Sequence, residues 1–298
     1  MRKTVLALAA SAMLAVAAPS YAETAAGYFA DYDSYSEEGR KFLDKIEPRT
    51  GAINLPNGVT LNVGDGFYFV DAEDAKAILT DAWGNPPDTS SNVTGMLFPG
   101  KESPIGDTWG VQIYPDQIGY VDDKDAATIN YDELLKNIQE DTRAANPERI
   151  KAGYDPITLI GWAQAPKYDP LNKRLYWAKE LRFGDSKENT LNYDIRFLNR
   201  HGVLVMSYVA SMGQLAEVNA SLPQMLNTVS FDDGFRYADF VPGTDTVAAV
   251  GVGGLIAGKV ITKTGFLVLA LALLKKFGVF LVLPFAWAWR KLRGGAQS

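Results

Sequence analysis

The strongest constraint in this chain is a period of two. In residues 191–198, Leu191, Tyr193, Ile195 and Phe197 alternate with Asn192, Asp194 and Arg196. Successive side chains of a strand point to opposite faces, so the pattern predicts a half-buried strand with one apolar and one polar face. Runs of similar length at 157–163, 175–183 and 203–210 accompany it. The joins Asp169-Pro170-Leu171-Asn172 and Asn199-Arg200-His201-Gly202 are rich in the residues that close tight turns. Strands joined this closely pair antiparallel, with one face toward a core.

The rest of the chain supplies partners for that sheet. Residues 23–33 read as a flexible lead-in, and Ser36 caps a short helix over 36–46. Pro56-Asn57-Gly58 joins two strands as a hairpin, and residues 67–70 suggest a third. Asp71 caps a helix with Ala75, Ile78, Leu79 and Ala82 on one side, ending at Trp83-Gly84-Asn85-Pro86-Pro87. Strands are predicted at 93–98 and 109–114, with 118–121 continuing the second after a turn. An acidic helix is predicted over 126–145, broken by Asn146-Pro147. One or two helical turns surround Pro223. The expected fold class is α+β, an antiparallel β-sheet packed by helices, with a C-terminal hydrophobic membrane helix or helices.

Charge separates the ends from the middle. The chain carries −6 overall; residues 1–22 hold +2 and residues 244–298 hold +6, leaving −14 on residues 23–243. So acidic a domain repels phosphate backbones, so no nucleic-acid partner is expected. Cysteine is absent, which excludes disulfides and thiolate chemistry. Arg2 and Lys3, an apolar run and Ser20-Tyr21-Ala22 form the pattern of a signal peptide over residues 1–22. Beyond Asp245 no acidic residue occurs, and Trp287 and Trp289 precede Arg290, Lys291 and Arg293. Indoles beside a basic cluster mark a membrane boundary. The expected organisation is a signal peptide (1–22), an exported domain (23–243) and an anchor with a basic tail (244–298). It places the domain in the periplasm, the anchor in a bacterial inner membrane and the C-terminus in the cytoplasm, with one or two spans open.

Several segments carry a family resemblance. They are Trp83-Gly84-Asn85-Pro86, Gly119-Tyr120-Val121, Asp132-Glu133-Leu134-Leu135 and Gly161-Trp162-Ala163 with Pro166, Tyr168 and Asp169. They continue with Leu175-Tyr176-Trp177-Ala178, Leu191-Asn192-Tyr193, Arg200-His201-Gly202-Val203-Leu204, Tyr237-Ala238-Asp239-Phe240 and Gly258-Lys259-Val260. In these the chain resembles a bacterial family of membrane-anchored proteins, the domain of unknown function number 2167. The resemblance covers nearly the whole mature chain. It implies an exported domain with a C-terminal anchor and no particular activity. The order of elements is also loosely similar to the Mog1/PsbP fold, and a fold does not set function.

Catalytic constellations are sparse. His201 is the only histidine and sits in a turn, where a surface corner competes with any catalytic role. With no second histidine and no cysteine, no metal site and no cofactor are expected. Residues 253–259 have the spacing of a phosphate loop, but Val260 replaces the hydroxyl residue that would meet magnesium. Asp122-Asp123-Lys124-Asp125 followed by Asp132-Glu133 does not fit a calcium loop, because Thr128 and Leu134 stand where Gly and Glu are needed. Ala249, Gly253, Gly254, Ala257 and Gly258 are instead spaced for close helix packing, with a second copy or within the chain. Trp162, Tyr168, Tyr176, Trp177 and Tyr193 are candidates for a binding groove or for core. Asp169 and Glu180 are the carboxylates available for acid–base work. The expected function is a non-catalytic, membrane-anchored envelope protein that binds or scaffolds protein partners. The alternative is a carboxylate-dependent envelope hydrolase.

Overall fold

A computed structural model describes residues 24–85 and 90–258. The signal-like residues 1–22 and most of the expected anchor, 259–298, lie outside the described residues. Two antiparallel sheets organise the fold. The smaller joins β1 (Gly51–Leu55), β2 (Val59–Val63) and β10 (Val229–Phe231), in the order β1-β2-β10. The larger joins β3 (Phe67–Asp71), β4 (Gly95–Pro99), β5 (Gly110–Asp116), β6 (Ile157–Asp169), β7 (Arg174–Phe183), β8 (Thr190–Asn199) and β9 (Gly202–Ser211). Its order is β3-β4-β5-β9-β8-β7-β6, so the alternating strand β8 lies inside it.

One face of the large sheet packs on the small sheet and α5 (Leu215–Thr228). A single register row on this face reads Phe69, Leu97, Val111, Tyr208, Tyr193 and Ala178. Every member is buried. The helix contributes Val218, Leu222 and Met225, spaced four and three residues apart and therefore on one stripe.

The opposite face carries apolar clusters at both ends. At the β3–β4 end, α1 (Ala25–Tyr28), α2 (Glu37–Leu43) and α3 (Ala72–Ala77), continued by a π-helical turn over Ile78–Ala82, cover Tyr68, Val70, Met96 and Phe98. At the β7–β6 end, α4 (Tyr131–Lys151) and α6 (Val252–Ala257) cover Leu175, Trp177, Leu198, Val203 and Val205.

Several expectations are corrected. Residues 24–33 of the expected loose lead-in are ordered by packing: Thr24 caps α1, and Ala25 and Phe29 are buried. Residues 118–121 form no strand; Tyr120 makes one parallel bridge to Val247. Gly119 permits that approach, with φ of 93° and the Thr246 carbonyl 2.8 Å from where a Cβ would stand. The acidic helix starts later, at Asn130, whose side chain accepts from the Asp132 and Glu133 amides. It also runs through Pro147. Proline removes one helical hydrogen bond there, and Asn146 ties the turn to the sheet. Its Nδ2 donates to the Ile157 carbonyl at 2.9 Å, and its Oδ1 accepts from the Ile157 amide at 2.8 Å.

The domain also extends past residue 243. Arg200 donates to both oxygens of Asp245, at 2.7 and 2.9 Å. Asp125 accepts from the amides of Val252 and Gly253, capping α6, and Val252, Leu255 and Ile256 are buried. Residues 244–258, expected as the start of the anchor, thus pack on the domain, and α6 ends at Gly258 in a left-handed residue. Among the described residues, no helix is long and apolar enough to cross a membrane.

Candidate functional site

The polar side of β8 does not face water. Asn192 and Asp194 are buried, and the Arg196 side chain keeps only 13% of its surface. The reason is position: β8 is an inner strand with elements on both faces. Its polar side chains lie on the helix-covered face, between the apolar clusters at its two ends.

Register places their neighbours. Across six strands one row reads Val70, Met96, Gln112, Ser207, Asp194 and Trp177. Directly paired residues share a face. The row is apolar at the β3–β4 end, polar through β5, β9 and β8, and ends on an indole. The adjoining rows add Lys179 opposite Asn192, and Arg196 opposite Val205, itself opposite Tyr114.

The charges interlock. The Ser207 hydroxyl donates to Asp194 Oδ1 at 2.5 Å, and Arg196 donates to the same oxygen at 3.1 Å. Lys179 Nζ lies 3.4 Å from Asp194 Oδ2. Arg196 also stands 5.1 Å over the Trp177 ring. Burial alone would raise the Asp194 carboxyl, but the two cations and the Ser207 hydroxyl outweigh it and hold it below its ordinary value. Burial also pushes the Tyr114 phenol up to about 12. Asp194 is therefore an ionised ion-pair member at neutral pH and a poor proton donor. Two side-chain atoms of the row are buried without a partner: the Trp177 indole nitrogen and the Gln112 carboxamide oxygen.

The residues singled out by sequence are distributed differently. Asp169 and Glu180 do not converge. Asp169 pairs with Arg174 at the turn of the β6–β7 hairpin, whereas Glu180 pairs with Gly161. Six residues of the unbulged strand β7 separate those positions, about 20 Å at strand rise. Asp169 accepts from the Leu171 and Asn172 amides and the Asn172 side chain, which holds it below its ordinary range. Glu180 accepts from the Asn189 side chain at 2.5 Å. His201 lies at the β8–β9 turn, its ring 5.8 Å from that of Phe235. Among the described residues, no group of three His, Cys, Asp or Glu is placed to hold a metal ion.

The five candidate aromatics divide between the two faces, because consecutive strand residues point opposite ways. Trp162, Tyr168 and Trp177 pack on the helix-covered side, while Tyr176 and Tyr193 pack with the opposite core. Tyr168 donates to Asp123, which also receives Lys173 at 2.7 Å and Tyr237 at 3.2 Å, fastening the hairpin to the loop before α4. In the small-residue run, a Cβ on Gly253 would sit 3.5–3.6 Å from Asp125 and Ile129, so this glycine packs inside the chain.

Gln112, Ser207 and Lys179 were not singled out by sequence. The available signal was a lone polar residue inside an apolar run, as in Val111-Gln112-Ile113 and Met206-Ser207-Tyr208.

A large antiparallel sheet, helices on one face and a smaller sheet with a helix on the other, define an α+β domain with a buried polar row at its centre. The chain belongs to the family described as protein of unknown function (DUF2167), whose model matches residues 47–286. No curated protein matches it. Among solved structures it is similar to cyanobacterial PsbP (CyanoP) from Synechocystis sp. PCC 6803, at 12% identity, covering 63% of this chain and 92% of that one with a TM-score of 0.35.

Proposed function

We propose that this is a non-catalytic, membrane-anchored protein of the bacterial envelope, with a periplasmic domain that binds its partner or ligand. The observation that carries the binding reading is the buried row. It leaves an indole donor and a carboxamide acceptor unmatched in a domain whose candidate carboxylates are engaged in structural bonds. Leaving such groups unmet costs about 1–3 kcal/mol each, a cost a bound molecule removes. The anchor reading is supported by residues 259–289, whose only charges are Lys259, Lys263, Lys275 and Lys276, with Trp287 and Trp289 beside Arg290, Lys291 and Arg293.

Cell fractionation tests the placement. Full-length protein is expected to stay with the inner membrane through an alkaline carbonate wash, and its domain is expected to be cleaved by protease added to spheroplasts. Recovery in the wash, or protection of the domain until the cells are lysed, overturns it. A phosphatase fused after Ser298 is expected to be inactive, which places the C-terminus inside.

A further inference from the structure

The polar row has a chemistry that narrows what it can bind. We infer that it is a site for a small molecule carrying a carboxylate at one end and an N–H or O–H donor further along. This rests on the binding reading and names the ligand class for the same residues.

Three observations carry it. First, two cations, Lys179 and Arg196, share the single buried carboxylate of Asp194. Beside them the Trp177 indole N–H is buried and unpartnered. Arg196 also donates to the Ile195 carbonyl at 3.3 Å, so two cations and an indole N–H face one buried carboxylate and one carbonyl; this excess of donors favours an incoming anion, and low polarity strengthens the attraction. Second, the unpartnered Gln112 oxygen lies in the same row but three strands away, on β5 rather than β7. Three strand spacings are about 14 Å, so a monatomic ion held at Lys179 and Arg196 cannot also satisfy Gln112. A ligand meeting both extends over several bonds and carries a donor of its own. Third, apolar clusters flank the row at both ends, Val70 and Met96 on one side and Trp177 with Leu175 on the other. Such walls with a few converging polar groups are the usual makeup of a small-molecule site.

The anionic end excludes neutral sugars and cations as preferred ligands. The need for a donor at Gln112 excludes simple fatty acids. A short peptide with a free carboxyl end, about four residues long when extended, has both features.

Indole N–H spectra of the full chain in detergent micelles, labelled with 15N-tryptophan, test this directly. The Trp177 signal is identified by its loss in Trp177→Phe or, should that variant not fold, by its cross-peaks to Arg196. The probes are N-acetyltetraglycine, long enough at up to about 3.6 Å per residue to bridge about 14 Å, acetate, N-acetyltetraglycinamide and chloride at constant ionic strength. N-acetyltetraglycine is expected to shift the Trp177 signal saturably, at least tenfold more tightly than acetate, with no saturable shift from N-acetyltetraglycinamide or chloride. Lys179→Met is expected to weaken N-acetyltetraglycine at least tenfold. Gln112→Met is expected to reduce it to the level of acetate while leaving acetate unchanged. A Trp177 signal indifferent to all four probes, or one that follows acetate and N-acetyltetraglycine equally, overturns the proposal. Neither result bears on membrane placement, which fractionation decides separately.

Discussion

Asp194 and Ser207 face each other across β8 and β9, joined by a 2.5 Å hydrogen bond in the buried middle of the seven-stranded sheet. On the other face of the same strands, the adjoining pair is Tyr193 and Tyr208, rings 5.9 Å apart. One residue of register thus separates an aromatic core from an ionic one. Asp194 and Ser207 are buried while Lys179 and Arg196 keep 20% and 13% of their side-chain surface, and the two cores respond differently to mutation.

Asp194→Ala is expected to destabilise the domain by about 3–5 kcal/mol, because it strands Arg196 and Lys179 without their counter-charge. Ser207→Ala is expected to cost about 1–3 kcal/mol. Replacing Lys179, Asp194 and Arg196 together by Met, Leu and Met is expected to leave stability unchanged or to raise it. Urea unfolding of the four proteins checks this. A triple variant as unstable as Asp194→Ala would make the cluster structural.

The Arg200–Asp245 pair makes the C-terminal segment acid-sensitive. The hydrogen bonds from Arg200 and then the Val241 amide bring the Asp245 carboxyl down to about 2 from an ordinary 3.8. Its side chain keeps only 7% of its surface, so the pair is shielded on its carboxylate side. A carboxyl lowered by folding stabilises the fold above its unfolded pKa and loses that contribution as pH falls through its folded one. Amide protection of residues 244–257 is expected to be constant above about pH 4 and to decline toward pH 2. In Asp245→Asn the decline over that window is expected to be smaller, with lower protection at neutral pH.

Asp125 caps α6 from 127 residues away in sequence. Asp125→Ala is expected to cost about 1 kcal/mol, the usual worth of such a cap. Gly251→Ala is expected to do comparable damage, since its Cβ would stand 2.5 Å from an Asp125 oxygen. Hydrogen exchange of residues 252–257 reads both, and the rest of the domain should keep its protection.

Asn146 completes the edge of β6 in place of a strand. Asn146→Ala leaves the Ile157 amide and carbonyl without their partner and is expected to cost about 1–3 kcal/mol. The loss should appear as faster exchange at Ile157 and in the last turn of α4, with β8 and β9 unaffected.

Much of the fold was legible in the chain. The hairpin at Pro56-Asn57-Gly58, the caps Ser36 and Asp71 and all four long strands stand where local chemistry put them. These features depend on neighbours two to four residues away, which sequence displays directly. The helix end at Pro147 was misread because a propensity of about 3 kcal/mol against proline is overridden where tertiary contacts hold the turn.

The candidate site was legible only in half. Sequence by itself determined that β8 has an apolar and a polar side, that the central domain is acidic, and that its polar residues include one histidine and no cysteine. It did not determine what lies over the polar side. A period of two reports a difference between faces, and an exposed polar face and a buried charged one produce the same pattern. Only the tertiary structure decided that β8 is an inner strand, that Gln112, Ser207 and Trp177 share its row, and that Asp169 and Glu180 stand apart. Strand order and register are set by contacts between residues far apart in the chain, 95 positions for Gln112 and Ser207 and 172 for Val59 and Phe231, and no local signal in the chain encodes them.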